Sequence, residues 1–145
     1  MDREAIERYA AGATVPAAAI DGLTKEDLLA TPVPGTWSIQ QIIFHLMDSD
    51  LIASDRMKRV AAEGHPTLLG YNETAFASTL GYDALDAAVA CELFRLNRDV
   101  TAALLRQFPD DTFERRGYHN EDGEKSLADL VDSYINHLDH HMKFI

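Results

Sequence analysis

With 145 residues, 46% of them hydrophobic, the chain is long enough for one domain, spanning 1–145, with a core of ordinary size. Its 24 acidic against 13 basic side chains leave a net charge of −11, which argues against direct binding to nucleic acid or to an anionic membrane surface, because both need basic patches. One cysteine, Cys91, cannot close an internal disulfide, no run approaches the roughly 20 apolar residues of a membrane span, and Met1-Asp2-Arg3-Glu4 leads into no apolar leader, so a soluble cytoplasmic protein is expected.

Helical periodicity dominates the chain. A first helical region is expected from Asp2 to Ile20, weakened by Gly12 and Pro16, with Pro16 suited to the first turn of a second short helix. Thr24-Lys25-Glu26-Asp27 reads as another short helical start, and Thr31-Pro32-Val33-Pro34-Gly35 breaks the chain. The second main helix is the clearest. Ser38 and Gln41 have capping-box spacing, Ile39, Ile42, Ile43, Leu46, Ala53, Met57 and Val60 make one apolar stripe, and Gly64 and Pro66 stop it. From Ser38 to Glu63 it would span about 40 Å, the height of a bundle. Arg56, Lys58 and Arg59, the densest basic group, are expected on its solvated face beside Asp55 and Glu63.

Residues 65–81 read as a long connection with a short helix at Asn72–Thr79. The third main helix is expected from Leu85 to Phe108, with Leu85, Val89, Leu93, Leu96, Val100, Leu104 and Phe108 as its apolar set and Pro109 as its stop. Residues 110–125 are polar and suit a loose hairpin. Ser126 and Asp129 cap the fourth main helix, whose stripe is Leu127, Leu130, Val131, Tyr134, Leu138 and Ile145. These elements give an all-α four-helix bundle, with long connections between helices 2 and 3 and between helices 3 and 4.

The stripe of the last helix runs by steps of three and four onto His137 and His141, so both face inward, while His140 is turned about 100° away toward Ser133, Asn136 and Lys143. A helical His-x-x-x-His pair can supply two zinc ligands, and it can equally be two polar residues ending a core stripe beside a helix C-terminus. His45, at the margin of the second helix's stripe, adds a third inward imidazole. Three inward histidines have the open-site pattern of catalytic zinc and are also available to nickel, iron or manganese. Spacing alone leaves the metal site and the core-histidine reading evenly matched.

The run Pro34-Gly35-Thr36-Trp37-Ser38-Ile39-Gln40-Gln41-Ile42-Ile43-Phe44-His45-Leu46-Met47-Asp48-Ser49 resembles the Trp-Ser…His-x-x-Asp-Ser element of the DinB-like superfamily, nearest its YfiT-like branch of metal-dependent hydrolases. The pair His137 and His141 resembles that family's second element, Tyr71-Asn72-Glu73-Thr74-Ala75-Phe76-Ala77 is similar to its Tyr-Asp-Glu-x-x-Trp-Ala segment, and His119-Asn120-Glu121-Asp122-Gly123-Glu124 is similar to its loop before the last helix. Asn72 and Phe76 depart from the pattern, which puts any role of that loop in question. The resemblance implies a bundle in which His45, His137 and His141 ligate one divalent ion, with water in the open position.

A metal centre of this kind needs a base or an orienting partner nearby. Asp48, one turn after His45, is the first candidate for the base, and its place further toward the polar side favours a solvated carboxylate. Ser49 could hydrogen-bond near the site or simply sit in the core. Glu73 and Glu121 lie in connections that could close over it and also read as surface acids. Cys91 reads as a buried structural thiol, Trp37 as a core or staple residue, and His65 and His119 as exposed loop residues. The resemblance supports hydrolysis of a small-molecule substrate by metal-bound hydroxide. Transfer of a low-molecular-weight thiol is the alternative that the resemblance also supports, behind hydrolysis because the YfiT-like elements match best and no thiol pocket is legible, and a non-catalytic metal-binding role in a stress response is the third reading. Bundles of this kind often pair through helix faces, so a homodimer is expected.

Overall fold

The computed structural model describes residues 2–145. Four helical elements form the bundle: α1 (Arg3–Ala11), continued through a 3-10 turn into α2 (Val15–Ile20), then α4 (Ile39–Ala62), α6 (Ala87–Gln107) and α7 (Leu127–Met142). Two short helices, α3 (Lys25–Leu29) and α5 (Glu73–Thr79), lie in the connections. Helix α4 packs on α6 and α7, and α1 packs on the same two from the other side. Among the described residues no helix is long and apolar enough to cross a membrane.

The helix starts are chemical. Thr24, Ser38 and Ser126 each cap a helix in a reciprocal capping box with Asp27, Gln41 and Asp129. Asn72 caps α5 by accepting from the Ala75 amide. The α4 stripe expected from the sequence is buried throughout, and Ile42 and Leu46 meet Phe94 and Leu138 just below the C-terminal end of α7. Each such side chain contributes about 1.5–3 kcal/mol by leaving water.

Helix α6 corrects the sequence reading. Leu85, Val89, Leu93, Leu96 and Val100 are exposed, Val89 by 64%. The inward face is Ala87, Ala90, Cys91, Phe94, Arg98, Thr101, Ala102 and Leu105. The helix carries two apolar faces, and the one with smaller residues wins because it lets α4 and α1 approach closely. The arginine in that face hid it from a count of hydrophobic positions. Arg98 is 1% exposed. It donates to both carboxylate oxygens of Asp50 at 2.7 and 3.1 Å, to the Tyr9 carbonyl and to the Tyr134 carbonyl, and it lies over the Tyr9 and Phe94 rings. One side chain thus ties α1, α4 and α7 to α6. Gly12 is part of this arrangement: a Cβ there would sit 2.5 Å from an Arg98 nitrogen and 2.6 Å from Leu138.

A second correction concerns Arg56. It is buried, not on a solvated face, and donates to the Tyr134 hydroxyl and the Leu69 carbonyl. The expected loose hairpin is a regular one, β2 (Arg116–His119) antiparallel to β3 (Gly123–Ser126), with Gly123 at φ +81 where a side chain would be strained. The two-residue β1 (Thr67–Leu68) pairs parallel to β2. This small sheet, flanking the helices, joins the connection after α4 to the one before α7. Asn120 seals the join: its amide donates to the Leu68 carbonyl and its side chain accepts from the Gly70 amide.

Candidate metal centre

Two helices converge on one point. His45, 3% exposed, points inward from α4, and half-buried His137 and His141 point from successive turns of α7. The His45 Nε2 lies 3.0 Å from the His137 Nε2 and 3.1 Å from the His141 Nε2. All three imidazoles can present a nitrogen within 4.8 Å of the others. Burial pushes the His45 and His141 imidazoles down to about 4 and His137 to about 3, where His45 and His141 add to the effect. At neutral pH the rings are uncharged and carry lone pairs. Each neutral ring has one protonated and one bare nitrogen, so protons satisfy three converging nitrogens poorly, whereas a single cation satisfies all three. For metal–nitrogen bonds of about 2.1 Å the expected N···N separations run from about 3.0 Å when the coordination angle is a right angle to about 3.4 Å at the tetrahedral angle, and the observed 3.0 and 3.1 Å lie at the small-angle end. The donor set therefore fits a divalent ion held on one face, with open positions opposite.

The back of His45 is held as well. The Tyr71 hydroxyl lies 3.4 Å from the His45 Nδ1 and is hydrogen-bonded to the Ser49 Oγ. With a cation on the Nε2 side, Nδ1 would carry the proton and donate to Tyr71, whose own proton would go to Ser49. This would fix tautomer and ring angle together. Tyr71 comes from the connection after β1 and Ser49 from the turn of α4 following His45, a pairing that spacing alone could not reveal. Trp37, just before α4, sets its ring at 4.9 Å from His45 and nearly parallel to His141 at 6.4 Å. It covers the cluster as well as stapling the helix start.

The cluster lies between two cavities. One, about 230 Å³, is bounded by Gly35, Trp37, Ile42, His141 and Phe144. The other, about 170 Å³, is polar and includes His137, Ser49, Tyr71, Glu73 and His119 in its wall. His119 is 6% exposed, against the expectation of an exposed loop residue, because the pairing of β1 with β2 folds the connection over it. His65 is exposed and pairs with Glu124, and His140 is exposed beside Phe144. Asp48 is half-buried and borders neither cavity. Its carboxylate accepts from the Tyr82 hydroxyl, and burial raises its pKa against that hydrogen bond. It is close enough to Tyr71 for its charge to help raise the phenol, which burial chiefly lifts to about 12. Cys91 is buried, and burial pushes its thiol up to about 11, as suits a structural residue. Glu73 and Glu121 are exposed.

Comparison with known proteins agrees with this architecture. The family description "DinB superfamily" matches residues 11–145. A protein of Oceanobacillus iheyensis is 29% identical over 123 residues, covering 85% of this chain and 71% of the relative. YfiT of Bacillus subtilis is 27% identical over 128 residues, covering 88% and 72%. Both relatives carry names that assign them provisionally to the metal-dependent hydrolases. The solved structure of YfiT, described as having an unusual four-helix bundle topology, superposes with a TM-score of 0.92 at 24% identity, over 98% of this chain and 82% of that one. A mycothiol-dependent maleylpyruvate isomerase shares the fold with a TM-score of 0.77 at 9% identity, over 97% of this chain and 59% of that one.

Proposed function

The chain belongs to the DinB superfamily, and from that premise we propose that it is a metal-dependent hydrolase in which His45, His137 and His141 hold one divalent ion. The observation that carries this reading is the convergence of three uncharged Nε2 atoms on one point. Zinc is the ion we assign, and the same nitrogen donors accept nickel, iron or manganese. When bound, such an ion lowers the pKa of a coordinated water toward about 7 and polarises an acyl oxygen. The names of the two relatives support metal dependence and hydrolysis together.

The chain's own residues do the rest. Tyr71 and Ser49 hold His45 in one tautomer, so its lone pair stays aimed at the ion. Trp37 keeps solvent off the side of the cluster that it covers. Asp48 we assign as the proton acceptor of the reaction on its burial-raised basicity; since Tyr82 engages its carboxylate and it borders neither cavity, the proton would reach it through an intervening group.

A second reading, transfer of a low-molecular-weight thiol to an electrophile, uses the same centre, because a bound ion can ionise a thiol as readily as a water. The polar cavity beside His137 is the feature that favours it, as it could take the polar groups of such a thiol. Turnover on ester, amide and thiol–electrophile panels, with the ion present and stripped, distinguishes the readings. Metal-dependent ester or amide cleavage supports the first, metal-dependent thiol consumption the second, and no turnover on any panel would reduce the centre to a structural one.

A further inference from the structure

Helix α6 has an apolar face that the bundle does not use. Val89, Leu93, Leu96 and Val100 recur at steps of four, three and four, the spacing of a helix-pairing seam, and Leu85 is exposed just ahead of the helix. By helical period this row lies about half a turn from Ala87, Cys91, Phe94, Arg98 and Leu105, which face the bundle. The outer row is therefore a second face and not the margin of the core.

The five side chains are 41 to 64% exposed, which puts on the order of 400 Å² of apolar surface in water, the size of patch that marks an interaction site. A standard interface buries about 800 Å² per partner, somewhat over half of it apolar. The row thus supplies most of the apolar area that a two-chain interface needs, and its flank supplies a polar rim. Glu92, Arg95, Asp99 and Arg106 follow one another along that flank, alternating in sign. Arg95 pairs with Glu92 and Asp99, and Arg106 pairs with Glu7. Three acids stand there against two arginines, in a chain of net charge −11, so two copies meet at this rim with little mutual repulsion. In a two-fold pair the same rim faces itself. Arginines set between acids can reach their own carboxylates or those of a second copy, whereas a partner rich in one sign of charge would oppose half of the row.

We propose that α6 is a dimerisation helix whose outer face packs on the same face of a second copy of this chain. None of the five apolar residues borders either cavity beside the histidines, so the pairing leaves both metal centres open and stands independently of the reaction they perform.

Sedimentation equilibrium of the purified full chain at about 0.15 M salt tests this. The parent should run at twice the mass of one chain from about 10 µM upward, within the affinity range of a standard interface. Val89→Glu/Leu96→Glu should raise the dissociation constant at least about 100-fold, with far-UV helicity unchanged because both positions are exposed in the single chain. Leu69→Glu and Leu80→Glu, at exposed apolar positions off the row, should leave the mass at two chains. A cross-link keeps the test valid should the charged variant misfold. With Cys91→Ser removing the native thiol, diamide should join Leu93→Cys chains into a covalent pair and leave Leu69→Cys chains single. A parent that stays monomeric to about 100 µM, a pair that persists in Val89→Glu/Leu96→Glu, a pair that Leu69→Glu or Leu80→Glu breaks as readily, or Leu93→Cys chains that link no faster than Leu69→Cys chains would each overturn the proposal.

Discussion

Arg98 grips Asp50 through two parallel hydrogen bonds of 2.7 and 3.1 Å, both side chains being at most 2% exposed. Asp50 lies five residues beyond His45 on α4. Arg98 also binds the Tyr134 carbonyl, three residues before His137 on α7. The pair therefore sets the spacing of the two helices that bring the histidines together. Burial pushes the Asp50 carboxyl up and Arg98 opposes it, so removing either partner strands a charge.

Asp50→Ala should lower stability to urea by about 3–5 kcal/mol, and the Asp50→Leu/Arg98→Met double variant should recover part of that loss. A loss under about 1 kcal/mol in the single variant would mean the pair does not organise the bundle.

This pair also marks where the sequence could be read and where it could not. Helix boundaries at Ser38 and Ser126 were legible because capping boxes are local, and α4 and α7 were legible because each has one apolar stripe. Helix α6 was not: it has two such stripes, and the buried one contains Arg98, whose acceptable burial depends on Asp50, 48 positions away. Arg56 and His119 were misjudged for the same reason, since Leu69, Tyr134 and the β1–β2 pairing that cover them are remote in sequence. The inward phase of His45, His137 and His141 followed from helical period alone, and their distance from one another did not.

Tyr71 should matter to the metal without touching it. Tyr71→Phe removes the hydroxyl that links His45 Nδ1 to Ser49 and should weaken zinc binding by about tenfold, the lower end for an orienting partner, with helicity unchanged. Competition with a chromophoric chelator measures this. Affinity equal to that of the parent would show that His45 is oriented by packing alone.

Asp48→Asn should keep the ion and lower whatever turnover the panels detect by about 100-fold, within the usual range for general-base loss. Metal content and rate are read on the same preparation. Full turnover would return Asp48 to the role of a carboxylate paired with Tyr82.

Acid should destabilise the metal-free protein through the histidine cluster. The three rings have pKa values of about 3 to 4 folded, against 6.5 for a free imidazole. As pH falls below about 6.5 the unfolded chain takes up protons that the folded chain refuses, so stability declines until the folded rings titrate. The urea midpoint should drop more steeply between pH 7 and 5 in the parent than in the His45→Ala/His137→Ala/His141→Ala variant. Parallel slopes would show that the rings are not held uncharged by the fold.

Metal content of purified protein, compared across single alanine variants of the histidines, tests the central claim most directly. His45, His137 and His141 contribute one nitrogen each to one point, so loss of any one should reduce bound zinc at least about tenfold. His65→Ala, His119→Ala and His140→Ala should stay near one ion per chain. The contrast between neighbours is sharpest at the end of α7, where His141 faces the cluster and His140 is exposed. Retention of zinc in His141→Ala with its loss in His140→Ala, or no retained zinc, nickel or iron even in the parent protein, would contradict the account.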